Sequence, residues 1–210
     1  MEHAGDEDSK MNKINAKKLL KRNKLYDAAY ELFTTKGMTE TVIEDIAKKA
    51  GVAKGTFYLY FKDKYDILNK IIYRKSVTVL KQAMDATESK VKAENAGMID
   101  GVLFFIDYLI AYFKSNKKML RLIHKNLSWG LYRKILADSD DLLEVKGMLQ
   151  RLTDEYRTGG VNNDVIEKNM YIIIELVSSI CYSSIILEEP YTIDEIKPTL
   201  YKTIRKILSK

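Results

Sequence analysis

Residues 54–62 combine side chains that can recognise a surface bearing both hydrogen-bonding and apolar groups. On a helix turning 100° per residue, Phe57 and Phe61 fall together on one side. The opposite side presents Gly55, Thr56, Tyr58, Leu59 and Lys62. A glycine permits close backbone approach, hydroxyl groups bond base edges or phosphates, and an aliphatic group can meet a thymine methyl. This pattern indicates contact with the major groove of a DNA duplex, whereas a solvated or packed amphipathic helix is the alternative.

Two short helices are expected to position these residues. The first begins at Thr41, where Glu44 three residues later predicts a capping box, and ends at Gly51. The second runs from about Lys54 to Phe61 after a joint of only two residues. An earlier helix over 24–36 supplies the apolar stripe on which both pack. Two short helices with so small a joint are typical of a helix-turn-helix.

The stretch from Thr41 to Leu68 resembles the signature of the TetR (tetracycline-repressor-like) family, and the similarity extends over about 24–72. The resemblance implies an all-helical dimer whose last two helices form a four-helix bundle. It implies phosphate contacts for Thr41, Tyr60 and Lys64. It also implies that four residues lie in the major groove: Lys54, Gly55, Thr56 and Tyr58. Ala53, where Ser is frequent, and Leu59, where Tyr is frequent, depart from the pattern, so the contact that Leu59 makes there stays open.

Charge is concentrated around this motif. Residues 10–64 contain 13 Lys or Arg and 6 Asp or Glu, whereas residues 1–9 contain four acids and no basic side chain. The other 146 residues hold 22 basic and 19 acidic side chains. Such a distribution fits a polyanion-binding surface, and a solvated lysine-rich face is the alternative.

Composition predicts an all-α fold. Hydrophobic residues make up 46% of the chain, Gly and Pro number only 10 and 2, and strand-like alternation is nearly absent. We expect a flexible arm over 1–22, a three-helix helix-turn-helix domain over 23–66, and a helical effector-binding and dimerisation bundle over 67–210. Asp63 is expected to cap the helix that starts at Lys64. Further helices are predicted at about 64–87, 96–114, 117–126, 128–137, 141–157, 163–188 and 193–208.

The last two helices are predicted to form a homodimer interface. The helix over 163–188 is apolar or small nearly all round from Met170 onward, so more than one side must be covered. A symmetric dimer would cover it and would match a palindromic site. The predicted interface residues are Ser179, Ile180, Ser183, Ile186, Leu200 and Ile204. Pro198 is expected to kink the final helix or to move its start to about Lys197.

Aromatic residues of the second domain suggest a small-molecule cavity, with a tightly packed core as the alternative. Asp100, Asp107 and Lys114 recur every seven residues and are interpreted as a solvent face, opposite the aromatic residues of the same helix. Glu175 would orient or neutralise an effector, with a position at a solvent edge or in an interface as the alternative. The predicted cavity residues are Phe105, Tyr108, Tyr112, Trp129, Tyr132, Tyr171, Glu175 and Tyr182.

These observations predict a repressor released from a palindromic operator by a small-molecule effector. A DNA-bound scaffold that answers to a protein partner, without a cavity, is the alternative. No acid–base pair, Cys/His cluster or complete phosphate loop stands out, so we expect no enzyme, cofactor or metal; His124 and Cys181 are interpreted as structural. The single cysteine, the charged N-terminus and a longest apolar run of only Val102–Phe113 predict a cytoplasmic protein that does not contact a membrane.

Overall fold

The computed structural model describes residues 4–124, 146, 147, 149–151, 154 and 162–209. It contains eight long or short α-helices within those ranges, and no strand among them, which confirms the all-α prediction. The helices are α1 (Ala4–Thr35), α2 (Ile43–Lys49), α3 (Lys54–Tyr58), α4 (Lys64–Glu94), α5 (Met98–Ser115), α6 (Lys117–His124), α7 (Asn163–Tyr182) and α8 (Ile193–Leu208). The predicted helix over 128–137 and most of that over 141–157 lie outside the described residues.

The chain divides into two compact units, Met1–Ile72 and Tyr73–Lys210. In the first unit α1 packs against α2, and α2 against α3. Leu25, Ile46, Phe57 and Ile67, one from each of α1 to α4, are completely buried and form the centre of its core. Burial of four such side chains is what fixes the short α3 on the longer helices, since a five-residue helix has little stability of its own.

The first helix begins much earlier than predicted. We expected residues 1–22 as a flexible arm and a helix from about Lys24, but α1 already begins at Ala4. Residues 12–22 are exposed and make no contact with the core. They therefore carry no apolar stripe from which a helix could have been predicted. Their high content of Lys, Leu and Ala, all strong helix formers, favours extension of the helix into solvent.

The capping box predicted at Thr41 and Glu44 is wrong. Helix α2 begins at Ile43, its N-cap is Val42, and no side chain caps it. The hydroxyl of Thr41 is buried and donates to the carbonyl oxygen of Gly37 at 2.6 Å, so it is not available to the α2 amides. By contrast, the predicted cap at Asp63 is confirmed, because its Oδ1 accepts from the amides of residues 65 and 66 at 2.8 Å.

In the second unit α5 and α8 run antiparallel and are joined by four polar contacts, one of which is an ion pair between Lys197 and Asp107. Arg205 donates to Asp100 at 2.6 Å, Tyr201 donates to Asp107 at 2.6 Å, and Lys114 contacts Asp194 at 2.8 Å. The heptad Asp100–Asp107–Lys114, interpreted from the sequence as a solvent face, is therefore the polar edge of a helix–helix contact. The seven-residue spacing identified one face correctly but not the α8 residues that cover it.

Pro198 does not move the start of the last helix to Lys197. It lies inside α8, which begins at Ile193 after a capping box between Thr192 and Glu195. Together α7 and the π-helical turn after it, Ser183–Leu187, form the segment Asp164–Leu187, which by length and composition alone could cross a membrane. It exceeds the run Val102–Phe113 that the sequence analysis took as longest. Only 22% of its most apolar stretch is buried within this chain, so its outer side is left uncovered.

Candidate DNA-binding surface and ligand cavity

Helix α3 is presented by the turn that precedes it. Gly51 ends α2 with a φ of +66°, a left-handed conformation that a side chain would strain. The Val52 amide then bonds the carbonyl oxygen of Ala47 at 3.0 Å, which closes the turn. On the buried side Phe57 packs on Phe61 with ring centroids 5.4 Å apart, and Tyr26 of α1 meets Phe61 edge-on at 5.1 Å. These contacts hold the orientation of α3.

The outward side of α3 carries the predicted groove residues. Tyr58 and Leu59 are 53% and 78% exposed, whereas Phe57 between them and the core is completely buried. Apart from the neighbouring residues and the backbone of α3 itself, no described atom lies within 4 Å of the point that a Cβ on Gly55 would occupy, so the backbone there is open to a partner. Lys54 is exposed beside Glu44, with 3.7 Å between their charged atoms. Thr56 and Tyr60 are half-buried. The helix ends at Tyr58, earlier than the predicted Phe61.

Two residues predicted to contact phosphate, Thr41 and Lys64, have their polar groups bonded within the chain. Thr41 is completely buried, and its hydroxyl already bonds Gly37, so it cannot reach a phosphate. The ammonium group of Lys64 donates to the carbonyl oxygens of Met38, Thr39 and Thr41 at 3.0, 3.2 and 3.2 Å. Those three carbonyls match its three N–H donors, which makes Lys64 a tie between the start of α4 and the α1–α2 turn.

A cavity of about 140 Å³ lies in the second unit. Its described lining comes from α4, α5, α6 and α7 together with Leu149. Apolar side chains make up almost all of that lining, for example Val79, Phe105 and Ile173. Its polar lining residues are few: Lys75, Ser76, Tyr112, His124 and Ser178. Such a site suits an apolar ligand with one polar end.

The cavity includes only part of the predicted set. Phe105 and Tyr112 line it, whereas Tyr108, Tyr171, Glu175 and Tyr182 are not among its lining residues. Tyr171 is 46% exposed, on the outer side of α7. Trp129 and Tyr132 lie outside the part of the chain that the structure describes. The aromatic content of the sequence indicated the cavity, but it could not separate inward from outward positions on α7.

Two cavity residues were interpreted from the sequence as merely structural. His124 stacks on Tyr182 with ring centroids 3.6 Å apart and an interplanar angle of 11°. His124 lines the cavity, whereas Tyr182 lies behind it and does not. Cys181 also lines it, and burial raises the pKa of its thiol to about 12. Their spacing on separate helices gave no signal, since the fold alone brings α6 onto α7.

The predicted interface residues divide between two environments. Leu200 and Ile204 are 2% and 0% exposed, because the stripe on α8 packs inward, so their assignment to a surface between two chains is wrong. Ser179 is exposed, and Ile180, Ser183 and Ile186 are half-buried. Val165 and Ile172, 44% and 47% exposed, lie on the same side of α7 as Ser179 and Ser183 at helical spacing. This outer stripe of α7 stays uncovered within one chain.

Comparison with known proteins bears on the first unit most strongly. Residues 25–71 match the family described as bacterial regulatory proteins, tetR family. The Bacillus subtilis fatty acid metabolism regulator protein is 37% identical over 70 residues, which are 33% of this chain and 36% of that protein. An HTH-type transcriptional regulator of Staphylococcus aureus is 30% identical over 105 residues, 49% of this chain and 52% of that one. The chain thus spans about a third to a half of these curated relatives. Both relatives are named as regulators.

The overall fold matches solved structures. A transcriptional regulator FadR from Bacillus subtilis, solved in complex with stearoyl-CoA, superposes with a TM-score of 0.60. The superposition covers 86% of this chain and 96% of that one, at 22% sequence identity. At that identity the likeness concerns the fold, and it extends well beyond the matched helix-turn-helix.

Proposed function

We propose that this chain, a member through residues 25–71 of the tetR family of bacterial regulatory proteins, is a cytoplasmic, dimeric repressor that reads a palindromic operator. The observation that carries the proposal is the two-sided α3. Phe57 and Phe61 anchor it in the core, while Tyr58 and Leu59 stay more than half exposed, although the Tyr58 ring meets Phe57 edge-on at 5.6 Å. Residues of this kind gain most from a groove that offers base edges and thymine methyl groups.

Recognition would be divided among the exposed residues of α3. Lys54 and Tyr58 supply hydrogen bonds to base edges or phosphates, Thr56 supplies a hydroxyl, and Gly55 allows the backbone to approach. Leu59 supplies an apolar contact. Tyr60 remains a proposed phosphate contact. Its ring lies half-buried beside Phe61.

A dimer follows from the outer stripe of α7. Its exposed Val165, Ile172 and Ser179 form a continuous surface that a second copy of the chain would bury. Small side chains such as Ser179 and Ser183 permit close approach of two helices. A two-fold pair of α3 helices then reads half-sites about one DNA turn apart.

The effector would be an apolar molecule with a polar end, and a fatty acyl thioester is the leading class. The lining of the cavity supports this, together with the stearoyl-CoA bound by the FadR regulator of similar fold. A cavity of about 150 Å³ holds benzene in another protein, so the described cavity has room for a short segment of chain. The effector would release DNA by binding the DNA-incompetent arrangement more tightly.

The test is selection of duplexes by the full-length protein from a random pool. The proposal predicts enrichment of a two-fold symmetric sequence, and a Thr56→Ala variant should select a motif relaxed at one position in each half-site. Lys81→Ala, an exposed change in the second unit, should select the wild-type motif. Failure of the wild-type protein to enrich any sequence would contradict the proposal.

A further inference from the structure

The part of α1 that precedes the core is a charged helical rod. Residues 12–24, here called the N-terminal extension, come before Leu25, the first core residue of α1. Six basic side chains and no acid occur in it: Lys13, Lys17, Lys18, Lys21, Arg22 and Lys24. All six are exposed. At a rise of about 1.5 Å per residue, the extension is about 20 Å long.

These charges lack the ion pairs made by lysines nearby. Lys36 contacts Asp45 at 2.6 Å, Lys49 contacts Glu31 at 2.7 Å, and Lys70 contacts Asp66 at 3.0 Å. Among the side chains that the structure describes, none forms an ion pair with a basic residue of the extension. Six charges of one sign on one short stretch of helix repel one another, and a polyanion would relieve that repulsion.

The C-terminal end of the extension lies close to the end of α3. Tyr26, two residues after Lys24, contacts Phe61 just after α3. Lys18, Lys21 and Arg22 lie seven, four and three residues before Leu25, so they continue the face of α1 that packs on the rest of the unit. Charge is thus directed to the side of α1 on which the helix-turn-helix lies.

We propose that the N-terminal extension is a second DNA-binding element, which contacts duplex phosphates next to the half-site read by α3. The inference rests on the proposed function of α3. An anionic membrane is the other polyanion that such a helix could meet. Ile14, Leu19 and Leu20 are 50%, 49% and 57% exposed. On a helical wheel with Lys13 at 0°, however, they project at about 100°, 240° and 340°. They form no apolar face, and a membrane-surface helix needs one.

The test compares salt dependence in the full-length protein. A triple variant, Lys18→Gln, Lys21→Gln and Arg22→Gln, removes three charges while keeping good helix formers. The matched control, Lys81→Gln, Lys118→Gln and Arg121→Gln, makes the same change of charge at exposed positions of the second unit. Binding of a random-sequence 40-bp duplex is measured by fluorescence anisotropy between about 50 and 200 mM salt.

Each lost phosphate contact should lower the slope of log affinity against log salt by about 0.9, so the extension variant, which removes three charges from each chain of the dimer, should lose up to about 5.4. Its loss of affinity over that fourfold salt range should then be smaller than for wild type by up to about 10³-fold. The control should keep the wild-type slope. An unchanged slope in the extension variant, or an equal decrease in the control, would overturn the inference.

Two further measurements distinguish the ways of failing. Wild-type protein that prefers a selected operator while the extension variant keeps its slope would contradict the extension alone. Wild-type protein that binds no duplex would contradict the proposed function as well. Binding to phosphatidylglycerol vesicles that only the extension variant loses, with DNA binding intact, would assign the extension to membranes and overturn the inference.

Discussion

The hydroxyl of Tyr201 donates a hydrogen bond of 2.6 Å to Oδ1 of Asp107, and Lys197 forms an ion pair with the same oxygen atom. This contact joins the middle of α5 to α8. Partial burial alone would raise the pKa of Asp107, but the bonds from Lys197 and Tyr201 prevail and lower it. Burial, with the Asp107 bond, raises the pKa of Tyr201. The carboxylate is therefore the form that the folded protein favours.

Replacement of Asp107 by Asn should lower the free energy of unfolding by about 1–2 kcal/mol at pH 7, as expected for one charge-assisted hydrogen bond at a half-exposed site. Because the folded pKa is lowered, this contribution is present above the unfolded value near 3.8 and is lost as pH falls through the folded pKa. Urea unfolding at several pH values checks this. The difference between variant and wild type should shrink below about pH 4, and Asp85→Asn, an exposed change on α4, should show no such trend.

Ile172→Asp should separate the dimer while leaving each chain folded. The side chain is 47% exposed in one chain, so a charge there costs little until a second chain covers it. Sedimentation velocity at micromolar concentration measures the association, and circular dichroism measures the helix content. Leu200→Asp is the contrasting variant, because its 2% exposure predicts loss of folding. A dimeric Ile172→Asp protein would contradict the assignment of the outer stripe of α7.

Ser178→Phe should fill part of the cavity and remove the response to an acyl thioester. Ser178 lines the cavity, whereas Tyr108 on α5 does not, which makes Tyr108→Ala the matched control. The measurement is the thermal shift with octanoyl-CoA and stearoyl-CoA, followed by operator binding with and without them. A response that survives in Ser178→Phe, or that disappears only in Tyr108→Ala, would place the effector elsewhere.

Lys64→Met should weaken binding to operator and random duplex without altering the salt slope. The ammonium group of Lys64 holds three carbonyl oxygens of the α1–α2 turn, so its loss disturbs the positioning of α2 and α3. A tie lost in this way costs about 1–3 kcal/mol of unfolding free energy. A slope lower by about 0.9 for each chain of the dimer, with stability unchanged, would instead assign Lys64 to a phosphate.

The sequence predicted the fold class, the order of the short helices in the helix-turn-helix and the exposure of Tyr58 and Leu59, because these depend on local periodicity and turn residues. Phe57 and Tyr58 were placed on opposite sides of α3 correctly from the helical wheel alone. The sequence-based predictions failed where a contact with another part of the chain determines the role of a residue. The hydroxyl of Thr41 donates to the carbonyl oxygen of Gly37 and does not cap α2. The acids of α5 bond residues of α8, although the sequence had predicted that they face solvent. The inward position of Leu200 has the same origin, since periodicity shows which residues share a face but not what that face meets.

If α3 reads DNA sequence, the affinities for two duplexes of different sequence must differ. Wild-type protein is titrated against its selected operator and a shuffled duplex of equal length at about 150 mM salt, in parallel with Tyr58→Ala. Wild-type protein should prefer the operator by at least about 10³-fold. Tyr58→Ala should lose about 1–3 kcal/mol on the operator and little on the shuffled duplex. Equal wild-type affinity for the two duplexes would contradict sequence reading by α3.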